Sequence, residues 1–146
     1  MTDARICIDL VGPGGLVNLG GVICDPSVRI MDYVADLKPF YATADVAVVP
    51  LRVGGGTRIK ILEAFAHETP VVSTGAGAEG LDVIHEEHLL IADDVIPFSQ
   101  ACIDLKRRPG LGVNLAARAA KLLAERYSQQ QVENAIDQTY LGSRAQ

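Results

Sequence analysis

The run Asp45-Val46-Ala47-Val48-Val49-Pro50, with Gly54-Gly55-Gly56-Thr57 close behind it, constrains this chain more than any other feature. A continuous apolar stretch ended by proline is the pattern of a parallel strand buried on both faces, because a half-exposed strand would alternate. The glycines mark a turn, and apolar spacing then predicts a helix from Thr57 to about His67. Pro70-Val71-Val72-Ser73-Thr74 reads as the next buried strand, with Gly75, Gly77 and Gly80 in the loop after it.

The flanking segments extend this pattern. Arg5 to Val11 and Val28 to Val34 read as strands, and Leu16 to Asp25 as a short, weakly patterned helix. Asp36 to Thr43 has helical spacing, which Pro39 limits to a short turn. Leu81 to Ile84 and Leu89 to Ala92 read as short strands around a charged turn, His85 to His88. Val95 to Lys106, Leu111 to Arg126 and Ser128 to Tyr140 read as helices. Strands alternating with helices predict an α/β fold, a doubly wound parallel sheet with helices on both faces and a helical C-terminal third. The 146 residues suit one domain, 1–146, without a repeat or linker to divide it.

Ligands of such sheets bind beyond the carboxyl ends of the strands, which directs attention to Pro50–Glu63. Without side chains, Gly54, Gly55 and Gly56 let the backbone approach a ligand closely. The helix start behind them offers unpaired N–H groups and a partial positive charge, suited to phosphate. Arg52, Arg58 and Lys60 crowd the same stretch of a chain whose net charge is −5. Arg58 falls in the first helical turn, where its charge opposes the helix dipole, and a bound anion would offset that cost. Thr57, Lys60, Glu63 and His67 share one helix face, while Ile59, Leu62, Phe65 and Ala66 share another and are expected to pack on the sheet. A carboxylate at Glu63 can accept hydrogen bonds from a ribose diol.

Each of these residues also has a plainer reading. A glycine-rich turn can be only a turn, Lys60 and Glu63 a surface ion pair, Thr57 an N-cap and His67 a residue that favours the helix end. His85, Glu86, Glu87 and His88 resemble a metal cluster in composition alone and read as a solvated turn. Asp93-Asp94 reads as a helix cap. No GxSxG elbow, Ser-His-Asp arrangement or GxxxxGK[ST] phosphate loop is present. Cys7, Cys24 and Cys102 form no CxxC pair and read as small buried hydrophobes in a reducing compartment. The acidic balance and 5% aromatic content argue against nucleic acid as a partner. No apolar run approaches the roughly 18 residues of a spanning helix. A cytoplasmic protein is expected, with attachment to the inner face of a membrane left open.

The order of these motifs resembles a known family. Val34-Ala35-Asp36-Leu37-Lys38-Pro39-Phe40-Tyr41-Ala42-Thr43-Ala44-Asp45-Val46 leads to Val49-Pro50-Leu51-Arg52, then Gly54 through Ala66, then Thr69 through Thr74 and Gly77-Ala78-Glu79-Gly80-Leu81. The series resembles the C-terminal domain of GT-B-fold group 1 glycosyltransferases, the retaining family-four kind, most closely from about residue 28 to 92. The resemblance implies a Rossmann-like domain that binds a UDP- or GDP-sugar as donor, with no other cofactor and no metal. The sugar would pass to an acceptor held by a separate N-terminal domain, in polysaccharide biosynthesis.

By position, Glu63 matches the second glutamate of the family's E-x7-E motif, which binds the donor's ribose. Gly54 to Thr57 match the stretch whose backbone meets the sugar and diphosphate, and Tyr33 and Val34 match the segment that meets the base. The first glutamate of the motif would fall at Gly55, so the usual carboxylate contact to the transferred sugar is missing. The chain is expected to begin inside the domain, without the acceptor domain or the first strand region, where an Arg/Lys pair usually clamps the diphosphate. Arg58 and Lys60 are expected to take over part of that role. The competing expectation is a non-catalytic nucleotide-binding or assembly module, pairing as a homodimer through an exposed sheet edge. A receiver-like signalling domain fits less well, because the loop is basic rather than acidic.

Overall fold

The computed structural model describes residues 6–12, 25–53 and 58–128. These residues group into two compact units, one ending at Phe40 and one beginning at Tyr41. The helix read across Leu16–Asp25 and the last helix, read from Ser128, lie outside the described residues apart from Asp25 and Ser128 themselves.

In the N-terminal unit, β1 (Ile8–Val11) and β2 (Val28–Met31) pair in parallel, with Ile8 opposite Val28 and Val11 opposite Met31. Asp9 and Arg29 are register partners, and the guanidinium grips the carboxylate with two hydrogen bonds of 2.6 and 2.7 Å. The strand expected to run on through Asp32, Tyr33 and Val34 does not, since β2 stops at Met31 and leaves Tyr33 exposed. Helix α1 (Lys38–Thr43) ends this unit and begins the next. Its Pro39 lies in the first turn, where a missing N–H removes no helical bond. Cys7 is exposed, contrary to its reading as a buried hydrophobe.

The C-terminal unit is built on a parallel sheet of order β3-β4-β5: β3 (Ala47–Val49), β4 (Val71–Ser73) and β5 (Leu90–Ile91). The register places Ala47 beside Val71 and Val72 beside Leu90. Parallel neighbours need crossovers, and α2 (Ile59–Ala66) carries the chain from β3 to β4. After β4 come the short helix α3 (Gly75–Ala78) and an irregular stretch to β5; then α4 (Val95–Arg107) and α5 (Pro109–Arg126) follow. Pro109 starts α5, the position proline suits best.

Strand alternation explains how both faces of β4 are used. Val71 joins Val49, Ile61, Ala64, Phe65, Leu89, Ala119 and Leu122 in one core. Val72 joins Leu90, Leu105 and Leu115 in another, with Phe98, Ala101 and Cys102 packed beside them. Burial there pushes the Cys102 thiol above its usual value, so it stays protonated and unreactive at neutral pH. Helices thus cover both faces, as the sequence predicts.

Several expectations need correction. β4 is buried throughout, but Val48 of β3 is 41% exposed, so β3 is not enclosed on both faces. Helix α2 packs through Ile61, Ala64 and Phe65, and not through the Ile59 and Ala66 of the expected stripe. Ile59 lies in the first turn and is 54% exposed. Leu81 to Ile84 form no strand, and Gly75 to Ala78 are helical rather than loop. Cys102 is partly buried, as a small packed thiol should be.

Candidate functional site

The carboxyl ends of β3 and β4 adjoin, and each leads into a helix. The turn after β4 is closed. Thr74 occupies the N-cap of α3, where its hydroxyl accepts the Gly77 N–H at 3.0 Å and donates to the Leu51 carbonyl. The buried Ser73 hydroxyl lies 3.3 Å from the Val49 carbonyl and 3.0 Å from the Thr74 carbonyl. A Cβ at Gly77 would collide with Ser73 Oγ and come within 2.8 Å of the Val49 carbonyl. Only glycine fits there. Asp93 accepts the Gly75 N–H at 2.7 Å. The expected Asp93-Asp94 cap therefore divides: Asp94 holds the N-cap position of α4 without a side-chain bond, while Asp93 serves α3.

The turn after β3 is different. Leu51, Arg52 and Val53 are exposed beyond the strand, and the expected ligand loop Gly54–Thr57 lies outside the described residues. The reading of Thr57 as an N-cap lies outside them too. Arg58 stands at the N-cap position of α2 and makes no side-chain cap. Its side chain is only 8% exposed. Nε donates to the Glu79 carbonyl at 3.2 Å, and Nη2 lies 3.5 Å from the Glu79 carboxylate.

Lys60 is exposed, and Glu63, in the second turn of α2, is half-buried. The ion pair that their spacing allows does not form. Among the described residues, the Glu63 carboxylate accepts no hydrogen bond and joins no ion pair. Its charge is felt by Tyr41. Burial first, and then the charge of Glu63, push the Tyr41 phenol above its usual value, so the hydroxyl keeps its proton through neutral pH. The Tyr41 ring stacks on His67, with centroids 4.8 Å apart. His67 is the C-cap of α2, in keeping with its helix-end reading.

The structure thus places Arg58 at the N-cap of α2 rather than in its first turn, Lys60 and Glu63 within α2, all in the C-terminal unit, and Tyr33 and Val34 just past β2, in the N-terminal unit. Sequence reasoning did not single out Tyr41, Thr74 or Glu79. Tyr41 and Glu79 meet their partners across more than 20 residues, a distance that no local spacing rule spans. Thr74 carried a readable signal, a hydroxyl residue ending an apolar strand just before glycine.

The His85–His88 turn is more ordered than a solvated one. His85 Nδ1 accepts the Ile91 N–H at 2.8 Å, and the buried His88 accepts the Ile84 N–H at 3.0 Å through Nδ1. Both rings are committed to the backbone, and no metal-binding group of His, Cys, Asp and Glu occurs among the described residues. No helix among them is long and apolar enough to cross a membrane.

Comparisons with known proteins agree with this architecture. Residues 3–108 match the family model for glycosyl transferases group 1. The chain is 29% identical over 101 residues to an uncharacterized 44.6 kDa protein in the cps region of Klebsiella pneumoniae, a match covering 69% of this chain and 26% of that one. It therefore spans about a quarter of that relative's length. Its fold is similar to that of TarM, with a TM-score of 0.73 and 14% identity over 92% of this chain and 29% of TarM. It is also similar to the C-terminal domain of LpcC, a group 1 family glycosyl transferase of Francisella tularensis. There the TM-score is 0.59 and the identity 19%, over 77% of this chain and 60% of that domain. These structural likenesses bear on the fold, and the family match covers well over half of the sequence. The chain belongs to the group 1 glycosyl transferases.

Proposed function

We infer that the chain is the donor-binding part of a glycosyltransferase that uses a UDP- or GDP-sugar. The observation that carries this reading is Glu63, a half-buried carboxylate without a hydrogen bond or ion pair among the described residues, on a helix that starts from the carboxyl side of the sheet. A partly desolvated carboxylate is stabilised by donors, and a ribose diol supplies two. In this reading Gly54, Gly55, Gly56 and Thr57 bring backbone N–H groups to the diphosphate, Arg58 and Lys60 offset its charge, and Tyr33 and Val34 meet the base.

The chemistry follows from where charge develops. The bond between the anomeric carbon and the phosphate oxygen breaks, its electron pair leaves with the diphosphate, and an acceptor hydroxyl forms the new glycosidic bond, its proton passing to the departing phosphate oxygen. Fixed N–H donors and cations around the leaving diphosphate lower that barrier. Retention at the anomeric carbon, an acceptor held by a separate N-terminal domain, and a cytoplasmic setting in polysaccharide biosynthesis belong to the same reading. Family membership supports it, and so does the Klebsiella relative's place in a cps region.

Calorimetric titration with UDP and with GDP tests the proposal, for the wild type and for Glu63→Ala. Loss of charge-assisted ribose bonds should cost about 1.5–3 kcal/mol, or about tenfold to a hundredfold in affinity. A folded wild type that binds neither nucleotide would remove the donor-site reading and favour an assembly module, which light scattering would then examine.

A further inference from the structure

Arg58 and Glu79 form a contact of two unlike halves. One half is fixed: Nε is bonded to the backbone carbonyl of Glu79. That carbonyl follows directly on α3, which Thr74 and the tight seat of Gly77 pin to the ends of β3 and β4. The other half is loose. Nη2 and the Glu79 carboxylate are 3.5 Å apart, longer than the roughly 2.7–2.9 Å of a charge-assisted hydrogen bond. The guanidinium is 8% exposed and the carboxylate 78% exposed. A buried cation needs a counter-charge, whereas an exposed carboxylate loses little by turning away into water.

We propose that the Glu79 carboxylate is a resting counter-ion for Arg58, surrendered when the phosphates of a nucleotide donor arrive. This rests on the donor-site reading above and adds a positioning residue to it. The backbone half of the contact stays in place and holds the guanidinium beside Glu79. Only the carboxylate swings out, because its negative charge and that of a diphosphate compete for the same cation. Glu79 thus sets affinity for the phosphate part of the ligand alone.

The test is Glu79→Gln, which keeps the backbone carbonyl and removes the charge, measured by calorimetry with UDP and GDP and, as controls, uridine and guanosine. The variant should bind the nucleoside diphosphate about twofold to fivefold more tightly, the range expected for releasing one exposed ion pair, with nucleoside binding unchanged. The gain should shrink as salt is raised. A merely structural role for Glu79 would weaken diphosphate and nucleoside together, and that result overturns the proposal. Unchanged diphosphate affinity overturns it as well, while saturable wild-type binding leaves the donor-site reading standing. A wild type that binds none of the four ligands ends both.

Discussion

The turns that follow the neighbouring strands β3 and β4 differ in how their described residues are held. After β4 the glycines are sealed in: Gly77 rests against Ser73 and the Val49 carbonyl, and Gly75 gives its N–H to Asp93. After β3 the described residues are open: Leu51, Val53, Ile59 and Lys60 are exposed, and the N-cap residue Arg58 caps nothing with its side chain. Glycine serves close packing in the first turn and, in our reading, close approach of a ligand in the second.

Breaking the sealed turn should produce the largest effect. Gly77→Ala places a methyl group where Ser73 and a backbone carbonyl leave no room, and urea unfolding should show a loss of about 3 kcal/mol. A loss under about 1 kcal/mol would mean that the turn can yield and that the contrast between the two is overdrawn. The far end of α2 offers a change of opposite sign. There the Thr69 N–H bonds to Ala64 O and the Glu68 N–H to Phe65 O, the pattern of a Schellman cap, yet Glu68 at φ 50° holds the position that favours glycine. Its charge also opposes the helix dipole. Glu68→Gly should raise stability by about 1 kcal/mol in the same assay and leave nucleotide affinity alone. If affinity moved too, the helix would be transmitting strain to the open turn.

The smallest change in stability is expected at Lys60, on the open side. Lys60→Ala should shift unfolding by no more than about 0.5 kcal/mol. It should still weaken UDP or GDP binding about twofold to fivefold, read by calorimetry. Unaltered affinity would remove Lys60 from the donor site and leave Arg58 as its cation.

The sequence made the architecture legible where one physical rule governs a whole segment. The apolar run Val71-Val72 reads as a buried strand, and the spacing of Val95 to Lys106 and Leu111 to Arg126 reads as helical, as the structure has them. It misplaced features set by neighbours remote in the chain. The phase of α2 is fixed by the sheet, which takes Ile61, Ala64 and Phe65 and leaves Ile59 outside. Val48 reads like Val49 but lacks its cover. At the candidate site, Glu63 and Lys60 were visible from helical spacing, whereas Glu79 was not, because its tie to Arg58 depends on how β3 and β4 bring two loops together. After β4 the turn is closed by Ser73, Thr74 and Asp93, whose partners lie too far along the chain to be read from local spacing.

Helix α5 has 18 residues, about 27 Å of rod. Leu115, in its first half, belongs to the core containing Val72, and Ala119 and Leu122, in its second half, belong to the core containing Val71. One element is therefore shared by the two sides of the sheet. Loss of α5 as a whole uncovers both cores. Amide protons of β4, α2 and α4 should consequently exchange with solvent as a single cooperative group, steadied or loosened together with α5.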